Sequence, residues 1–220
     1  MYLKLGEYFL EPNKDYVIEL FNGTFDRSDN VITRDRMLDV SLVGNETRTQ
    51  VDTSAWFEKE QTTYLNFTTQ SPGTWVAGVS TKPRDFGMSA ESFNNYLEHD
   101  GVLDMLDTRK QNGTLGDSAA ERYSKHVKII FQVGNKRTED YKTALGYPIE
   151  FILSENPYDL HPGHELPVKL FFDQKPLANQ LVYVGTKTAT EVHTHDGSTH
   201  PYEVESVHRA HGPLLHHANG

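Results

Sequence analysis

The sequence predicts a mainly β protein whose antiparallel strands pack as β-sandwiches. Four short segments rich in Val, Thr, Tyr, Phe and Trp follow one another near the start of the chain. Asn-Gly, Gly-Asn and Ser-Pro-Gly sequences, which favour turns, lie between them. The predicted strands are residues 16–21, 37–43, 62–67 and 74–80. Strands at this spacing are typical of a β-sandwich rather than of alternating strand–helix units.

Composition limits the function classes. The 220 residues include 31 Asp and Glu against 21 Lys and Arg, giving a formal charge of −10, and no cysteine. An acidic chain without a cluster of basic residues is not expected to bind nucleic acid. The absence of cysteine excludes thiolate metal sites and Cys nucleophiles. No apolar stretch approaches the ~20 residues that span a bilayer, so no membrane insertion is expected.

A helical insertion is predicted near residues 88–122. Ser89 is suited to cap the start of a helix, apolar residues follow at helical spacing, and Gly101 stands where a glycine would end it. A second short helix is expected next, with Leu103 and Leu106 on its apolar face. These two helices interrupt an otherwise β-rich domain.

A polar connection at residues 134–140 predicts a boundary between two domains. Ahead of it, residues 123–133 return to the alternating pattern of a strand. The first domain is therefore expected to be a β-sandwich over residues 1–139 that contains the helical insertion. The second is expected over residues 140–220.

The second domain is also predicted to be antiparallel β. Its expected strands are residues 148–153, 166–172, 182–184 and 202–208. The chain stops on Ala218-Asn219-Gly220, a turn-like tripeptide. We therefore expect this sandwich to be truncated, with its closing strand in a longer gene product.

Short motifs along most of the chain resemble one bacterial family. They are Tyr8-Phe9-Leu10-Glu11-Pro12-Asn13, Asn22-Gly23-Thr24-Phe25, Gly73-Thr74-Trp75-Val76, Phe93-Asn94-Asn95-Tyr96-Leu97, Glu121-Arg122-Tyr123-Ser124-Lys125 and Asn156-Pro157-Tyr158. In this order they resemble a domain-of-unknown-function family described as a periplasmic component of cobalt and nickel uptake, the nickel-uptake substrate-specific region. The resemblance implies two immunoglobulin- or transthyretin-like sandwiches, export to the periplasm and a role in divalent-metal handling. The residues after Met1 are not the apolar core of a signal peptide, so the export signal is expected ahead of this sequence.

The histidines indicate where a metal could bind. Nine of the eleven lie after residue 140, and the sharpest motif is His193-Thr194-His195. In an extended segment, residues i and i+2 point to one face, so both imidazoles could reach one ion. The other candidate ligands in this region are His200, His208 and His211. Nitrogen and oxygen ligands suit Ni, Co, Zn or Cu, and no organic cofactor is expected. The alternative is a solvated His-rich loop over residues 193–217 that binds metals weakly.

A second histidine pair occurs in His161-Pro162-Gly163-His164-Glu165. Pro and Gly favour a tight turn that could bring His161 and His164 to one ion, with Glu165 beside them. The same residues also fit an ordinary turn between strands with exposed polar side chains, and this interpretation is preferred.

Two further groups of residues each allow a functional and a structural interpretation. A basic group could hold an anionic ligand, but ion pairs with nearby acids are the preferred interpretation. An aromatic group could form a carbohydrate-binding platform, but at strand spacing a core position is more common. The basic group is Arg122, Lys125, His126 and Lys128, and the aromatic group is Trp56, Tyr64, Phe67 and Trp75.

Enzyme activity is not expected, and no catalytic residue is assigned. The sequence has no Gly-x-Ser-x-Gly, His-Glu-x-x-His or phosphate-loop motif. The leading hypothesis is an exported, non-enzymatic protein that binds or delivers a divalent transition metal, with a membrane metal transporter as partner. The alternative hypothesis is a β-sandwich module for protein or glycan recognition in which the His-rich loop is incidental.

Overall fold

A computed structural model of the chain describes residues 1–24, 26–161, 163–178, 180, 182–185, 190–193 and 199–201. Their secondary structure consists mostly of antiparallel β-sheets, so the mainly β fold class is confirmed. The chain divides into two compact units. The first comprises Met1–Lys82 with the described residues from Lys125 onward, and the second comprises Pro83–Ser124.

The first unit contains a β-sandwich made of two sheets. One sheet consists, in spatial order, of β1 (Tyr2–Lys4), β3 (Asp15–Phe21), β7 (Thr62–Thr68) and β6 (Trp56–Lys59). The other consists of β2 (Phe9–Leu10), β11 (His126–Val133), β8 (Gly73–Thr81), β4 (Met37–Gly44) and β5 (Thr47–Gln50). Neighbouring strands are antiparallel except β2 and β11, which are parallel. The four strands predicted in residues 16–80 correspond to β3, β4, β7 and β8.

Alternating apolar side chains of the two sheets form one core between them. Ile18 and Leu65 of the first sheet are buried together with Val79 and Phe131 of the second. Phe67 and Phe131 meet across the sandwich, with their ring centroids 5.5 Å apart. Burial of a side chain of this size stabilises the fold by about 1.5–3 kcal/mol relative to exposure. The core thus holds the two sheets face to face.

Gly44 lies at the end of β4, where the indole of Trp75 packs directly on the backbone. A Cβ atom on Gly44 would lie 2.1 Å from Cδ2 of that indole. The ring is fixed in place because its Nε1 donates a hydrogen bond to the Ser71 carbonyl over 3.1 Å. Only a residue without a side chain fits at this position.

The second unit contains the two predicted helices and a two-stranded antiparallel sheet. Its elements are β9 (Arg84–Met88), α1 (Ala90–His99), α2 (Leu103–Gln111) and β10 (Ala119–Tyr123), with β9 and β10 paired antiparallel. As predicted, Ser89 caps α1, since its side chain accepts a hydrogen bond from the Ser92 amide over 3.2 Å. Gly101 follows α1 with a φ of +71°. Within the described part of the chain, neither helix is long and apolar enough to cross a membrane.

The predicted apolar face of α2 is only partly correct. Leu106 is buried, but Leu103 is 54% exposed and Arg109 is 6% exposed. Arg109 can be buried because its polar atoms are satisfied: Nε donates to Asn94 Oδ1 over 2.9 Å and Nη2 donates to the Asp117 carbonyl over 2.7 Å. Its guanidinium also lies over the Phe93 ring, 5.0 Å from the centroid.

Two small antiparallel sheets follow along the chain. One contains β12 (Ile149–Leu153), β13 (Val168–Phe172) and β14 (Lys175–Pro176), and the other contains β15 (Val182–Gly185), β16 (Thr190–His193) and β17 (Thr199–Pro201). The strands predicted at 148–153, 166–172 and 182–184 are thus found. The strand predicted at 202–208 and the turn at 218–220 lie outside the described residues. Short 3₁₀ helices occur at Arg34–Arg36, Thr53–Ala55 and Glu139–Lys142.

The predicted boundary between residues 139 and 140 falls in a segment that packs on the sandwich. Asp140 is buried, and its carboxylate accepts hydrogen bonds from the backbone amides of Asn45 and Glu46 over 3.0 and 2.8 Å. Those two residues form the β4–β5 turn with positive φ angles. The division of the chain into domains 1–139 and 140–220 stays a prediction.

Candidate functional site

Two of the predicted metal-ligating residues, His161 and His164, lie in one turn. The His164 amide donates to the His161 carbonyl over 3.0 Å, and Gly163 has a φ of +90°. A β-turn with positive φ at its third position favours glycine there. The two imidazoles are exposed and lie edge to face, with ring centroids 5.8 Å apart. The turn therefore brings the two imidazoles together.

The C-terminal candidates are described only in part. In the sheet register, His193 lies opposite Val182 of β15 and Thr199 of β17, and His200 lies opposite Val192. The chain therefore folds back between His193 and His200, and the two positions, one apart in the register, fall on opposite faces of the sheet. His195, His208 and His211 lie outside the described residues.

No group of three or more His, Asp or Glu side chains that could hold a metal ion occurs in the part of the chain that the structure describes. Asp159 lies two residues before His161, and its carboxylate accepts a hydrogen bond from Arg137 Nε over 3.2 Å. Structural zinc sites usually have four protein ligands, and catalytic sites three plus water. An ion at His161 and His164 would take its other ligands from elsewhere.

A buried polar cluster that the sequence did not predict lies on the second sheet. It centres on Glu150, whose Oε2 accepts hydrogen bonds from Lys128 Nζ over 3.0 Å and from the Leu145 amide over 2.9 Å. Its Oε1 accepts from the Gly146 amide over 3.0 Å. The Lys128 and Glu150 side chains are only 12% and 5% exposed. Burial lowers the pKa of Lys128, and the Glu150 carboxylate offsets part of that effect.

We call residues 143–150 the covering segment because they pack over this sheet. Tyr147 donates its hydroxyl hydrogen to Asp39 Oδ2 over 2.6 Å, and Arg48 Nη2 donates to the same oxygen over 2.9 Å. Burial, together with the Asp39 carboxylate, raises the pKa of Tyr147. Gly78 permits the close approach, since a Cβ atom there would lie 2.1 Å from Leu145 Cδ1. The polar atoms of the cluster are engaged with one another, so we assign it a structural role.

The predicted basic group does not form one site. Lys128 and Arg122 each pair with a carboxylate, since Arg122 Nη1 lies 3.8 Å from Asp85 Oδ1. Lys125 Nζ instead donates to Asn22 Oδ1 over 2.8 Å. His126 Nδ1 lies 2.9 Å from Ser80 Oγ, and burial lowers the pKa of this imidazole while Glu150 raises it by a smaller amount. The structural interpretation of these residues is the one that their contacts support.

Acidification is expected to destabilise the fold partly through His126. Because burial holds the pKa of folded His126 below its ordinary value of 6.5, the unfolded chain takes up a proton at higher pH than the folded chain does. Above about pH 6.5 the imidazole is neutral in both the folded and the unfolded chain, so the contribution of His126 to stability is complete. It falls as the pH decreases towards the folded-state pKa, because the unfolded chain is protonated first. Thermal unfolding at pH values of roughly 5 to 8 measures this loss of stability. In the His126→Gln variant the loss on acidification should be smaller. An unchanged pH dependence in the variant would contradict the assignment.

Most of the aromatic group lies in the core, in agreement with the preferred interpretation, and does not form a carbohydrate-binding platform. Trp56, Phe67 and Trp75 are buried in the sandwich core. Tyr64 is half-buried and stacks on Phe57, with ring centroids 4.9 Å apart and planes 9° from parallel. Phe57 is 39% exposed. A partly exposed aromatic pair therefore remains, and it consists of Phe57 and Tyr64.

The fold and the site define a β-sandwich protein that carries an exposed turn with two histidines. The family model of a domain of unknown function, DUF4198, matches residues 16–212, so the chain belongs to this family. The predicted membership of a domain-of-unknown-function family is thereby confirmed, while the link to nickel and cobalt uptake stays a proposal. Comparisons with curated proteins and with solved structures yield no match.

Proposed function

We propose that this protein is an exported, non-enzymatic binder of a divalent transition metal that passes its ion to a membrane metal transporter. The observation that most directly supports this proposal is the antiparallel pairing of β16 with β17, which folds the chain back and places the segments that carry His193 and His200 on adjacent strands. These residues belong to the part of the chain after residue 140, which carries nine of the eleven histidines. A fold-back of this kind is what a multi-histidine site in the C-terminal segment requires.

The available ligands determine which ions are candidates. A chain without cysteine offers imidazole nitrogen and carboxylate oxygen, which suit Ni, Co, Zn or Cu. Affinity for such ligands rises from Co through Ni to Cu and is lower again for Zn, so the availability of each metal would decide which one is bound. The proposal is therefore specific for the class of ion and not for one element.

Calorimetric titration of Ni, Co, Zn and Cu into the full chain tests the proposal. His193→Ala/His195→Ala should weaken binding by at least the roughly tenfold factor that loss of an outer-shell partner already causes. His99→Ala is the matched control, because the His99 side chain is exposed and its Nδ1 lies 3.0 Å from the carboxylate of the neighbouring Asp100. Its affinities should equal those of the unmodified chain.

The pH dependence of the same titration provides a second criterion. A ligand imidazole must be deprotonated, so binding should weaken as the pH falls through about 6.5. Millimolar, unselective binding that the His193 and His195 substitutions do not change would refute the metal proposal.

The partly exposed pair of Phe57 and Tyr64 supports a second candidate, recognition of a protein or glycan ligand. Aromatic residues are enriched in interfaces because they bring a large apolar area to the contact. Phe57 lies on β6, at the edge of the first sheet, and keeps 39% of its surface exposed. If recognition of a protein or glycan is the function, the histidines are incidental. The calorimetric metal titration should then show weak, unselective metal binding.

A further inference from the structure

We propose that the turn from His161 to His164 is a preformed two-imidazole site for one divalent transition-metal ion, with its remaining coordination positions open to solvent. The proposal rests on the proposed function and adds a second kind of site to it. An ion held by only two protein ligands can exchange them readily for other donors. The turn would therefore load or release metal, while the C-terminal histidines hold it.

The spacing of the two rings suits one ion. Imidazole nitrogens bind Zn at about 2.0–2.1 Å, which places the centroids of two bound rings roughly 5–6 Å apart for nitrogen–metal–nitrogen angles of about 105–130°. The centroids of His161 and His164 are 5.8 Å apart, with the ring planes at 65°. Both side chains are exposed, so small χ rotations can aim one nitrogen of each ring at a common point.

The backbone holds this arrangement before any ion binds. The His164 amide donates to the His161 carbonyl over 3.0 Å, which closes the turn, and Gly163 supplies the φ of +90° that the turn needs. The sequence Pro-Gly at the two central positions is typical of such a turn. Because the turn is already closed, binding costs less backbone entropy than it would for two histidines on a flexible segment.

The site has room for donors from another molecule. No third His, Asp or Glu that completes a metal site occurs among the described residues. Asp159, the nearest preceding acid in the sequence, is paired with Arg137 over 3.2 Å, and Glu165 is exposed. Water or a small chelating ligand can therefore occupy the remaining positions of the ion, and a donor group of a transporter could replace it.

The test uses the full chain, Zn²⁺ alone as probe, and NMR of the histidine side chains. Substoichiometric Zn²⁺ should shift the ring signals of His161 and His164, and His161→Ala/His164→Ala should lower the number of bound ions by one per chain. Gly163→Ala retains both imidazoles but strains the backbone at its φ of +90°, so it should weaken this site about five- to tenfold. His99→Ala again serves as the control and should leave all signals of the turn unchanged.

The outcomes separate this proposal from the general one. If His193→Ala/His195→Ala loses metal while His161→Ala/His164→Ala binds as many ions as the unmodified chain, the turn site is refuted and the proposed function stands. If neither double variant changes binding, both are refuted. A Zn²⁺-dependent rise in molecular mass in sedimentation experiments, absent in His161→Ala/His164→Ala, would also overturn the open site, because a second copy would then close it.

Discussion

Replacing Glu150 by glutamine is expected to lower the free energy of unfolding by about 3–5 kcal/mol, because the buried Lys128 ammonium would lose its counter-charge. The carboxylate also accepts hydrogen bonds from the Leu145 and Gly146 amides. Glutamine has one acceptor oxygen and a donor group, so at least one of the three donors around residue 150 would be left unsatisfied. Equilibrium unfolding in urea measures the loss.

A second substitution separates the lost charge from the lost hydrogen bonds. In Lys128→Met/Glu150→Gln the buried charge is gone, and one backbone donor still has an acceptor. Replacing a buried ion pair by uncharged groups is often nearly neutral, so this double variant should regain most of the stability that Glu150→Gln loses. If the double variant is no more stable than Glu150→Gln, charge burial is not the cause.

Gly44→Ala is expected to cost about 3 kcal/mol or more, at the upper end of the range for overpacked cores. The added methyl group would overlap the Trp75 indole, which approaches to 2.1 Å from the Cβ position. The indole cannot easily move, since it is buried and hydrogen-bonded to Ser71. Thermal and urea unfolding measure the loss, and the intrinsic fluorescence should change because the environment of Trp75 changes.

Gly87→Ala is the matched control for this substitution. Gly87 is also in a strand, β9, but nothing lies within 4 Å of its Cβ position. Surface substitutions of this kind usually change stability by no more than about 0.5 kcal/mol. Equal losses for the two alanine variants would show that a general strand effect, and not the contact with Trp75, makes Gly44 necessary.

The regular elements of the fold could be predicted because their patterns are local. Residues 16–21 and 62–67 are rich in β-branched and aromatic side chains, and Ser89 and Gly101 delimit α1. β5 carried no such signal: Thr47–Gln50 is exposed throughout, so burial imposes no alternation on it. Arg109 was missed for a related reason, because its burial depends on partners contributed by other segments of the second unit.

The candidate metal site could be predicted in part. The spacing of His161 and His164 around Pro-Gly indicated a turn, and the structure places the two rings 5.8 Å apart. The cluster around Glu150 gave no signal, because the contacts that bury it join segments that are distant along the chain, such as Lys128 with Glu150. Asp39 meets Tyr147 across 108 positions, and no periodicity within either segment indicates that pairing. Composition alone indicated only that any metal ligands would be nitrogen and oxygen atoms.

The pairing of β8 with β11 has a consequence for how the chain folds and how it could be redesigned. The two strands leave the sheet side by side, since the Thr81 amide donates to the Lys125 carbonyl over 2.9 Å. The compact unit Pro83–Ser124 is thus inserted between the end of β8 and the start of β11, which are neighbours in the sheet. If that unit orders early, it shortens the effective loop that must close before β8 and β11 can pair. The same junction is a natural place to replace the insertion by a short hairpin turn while the register of the sheet is kept.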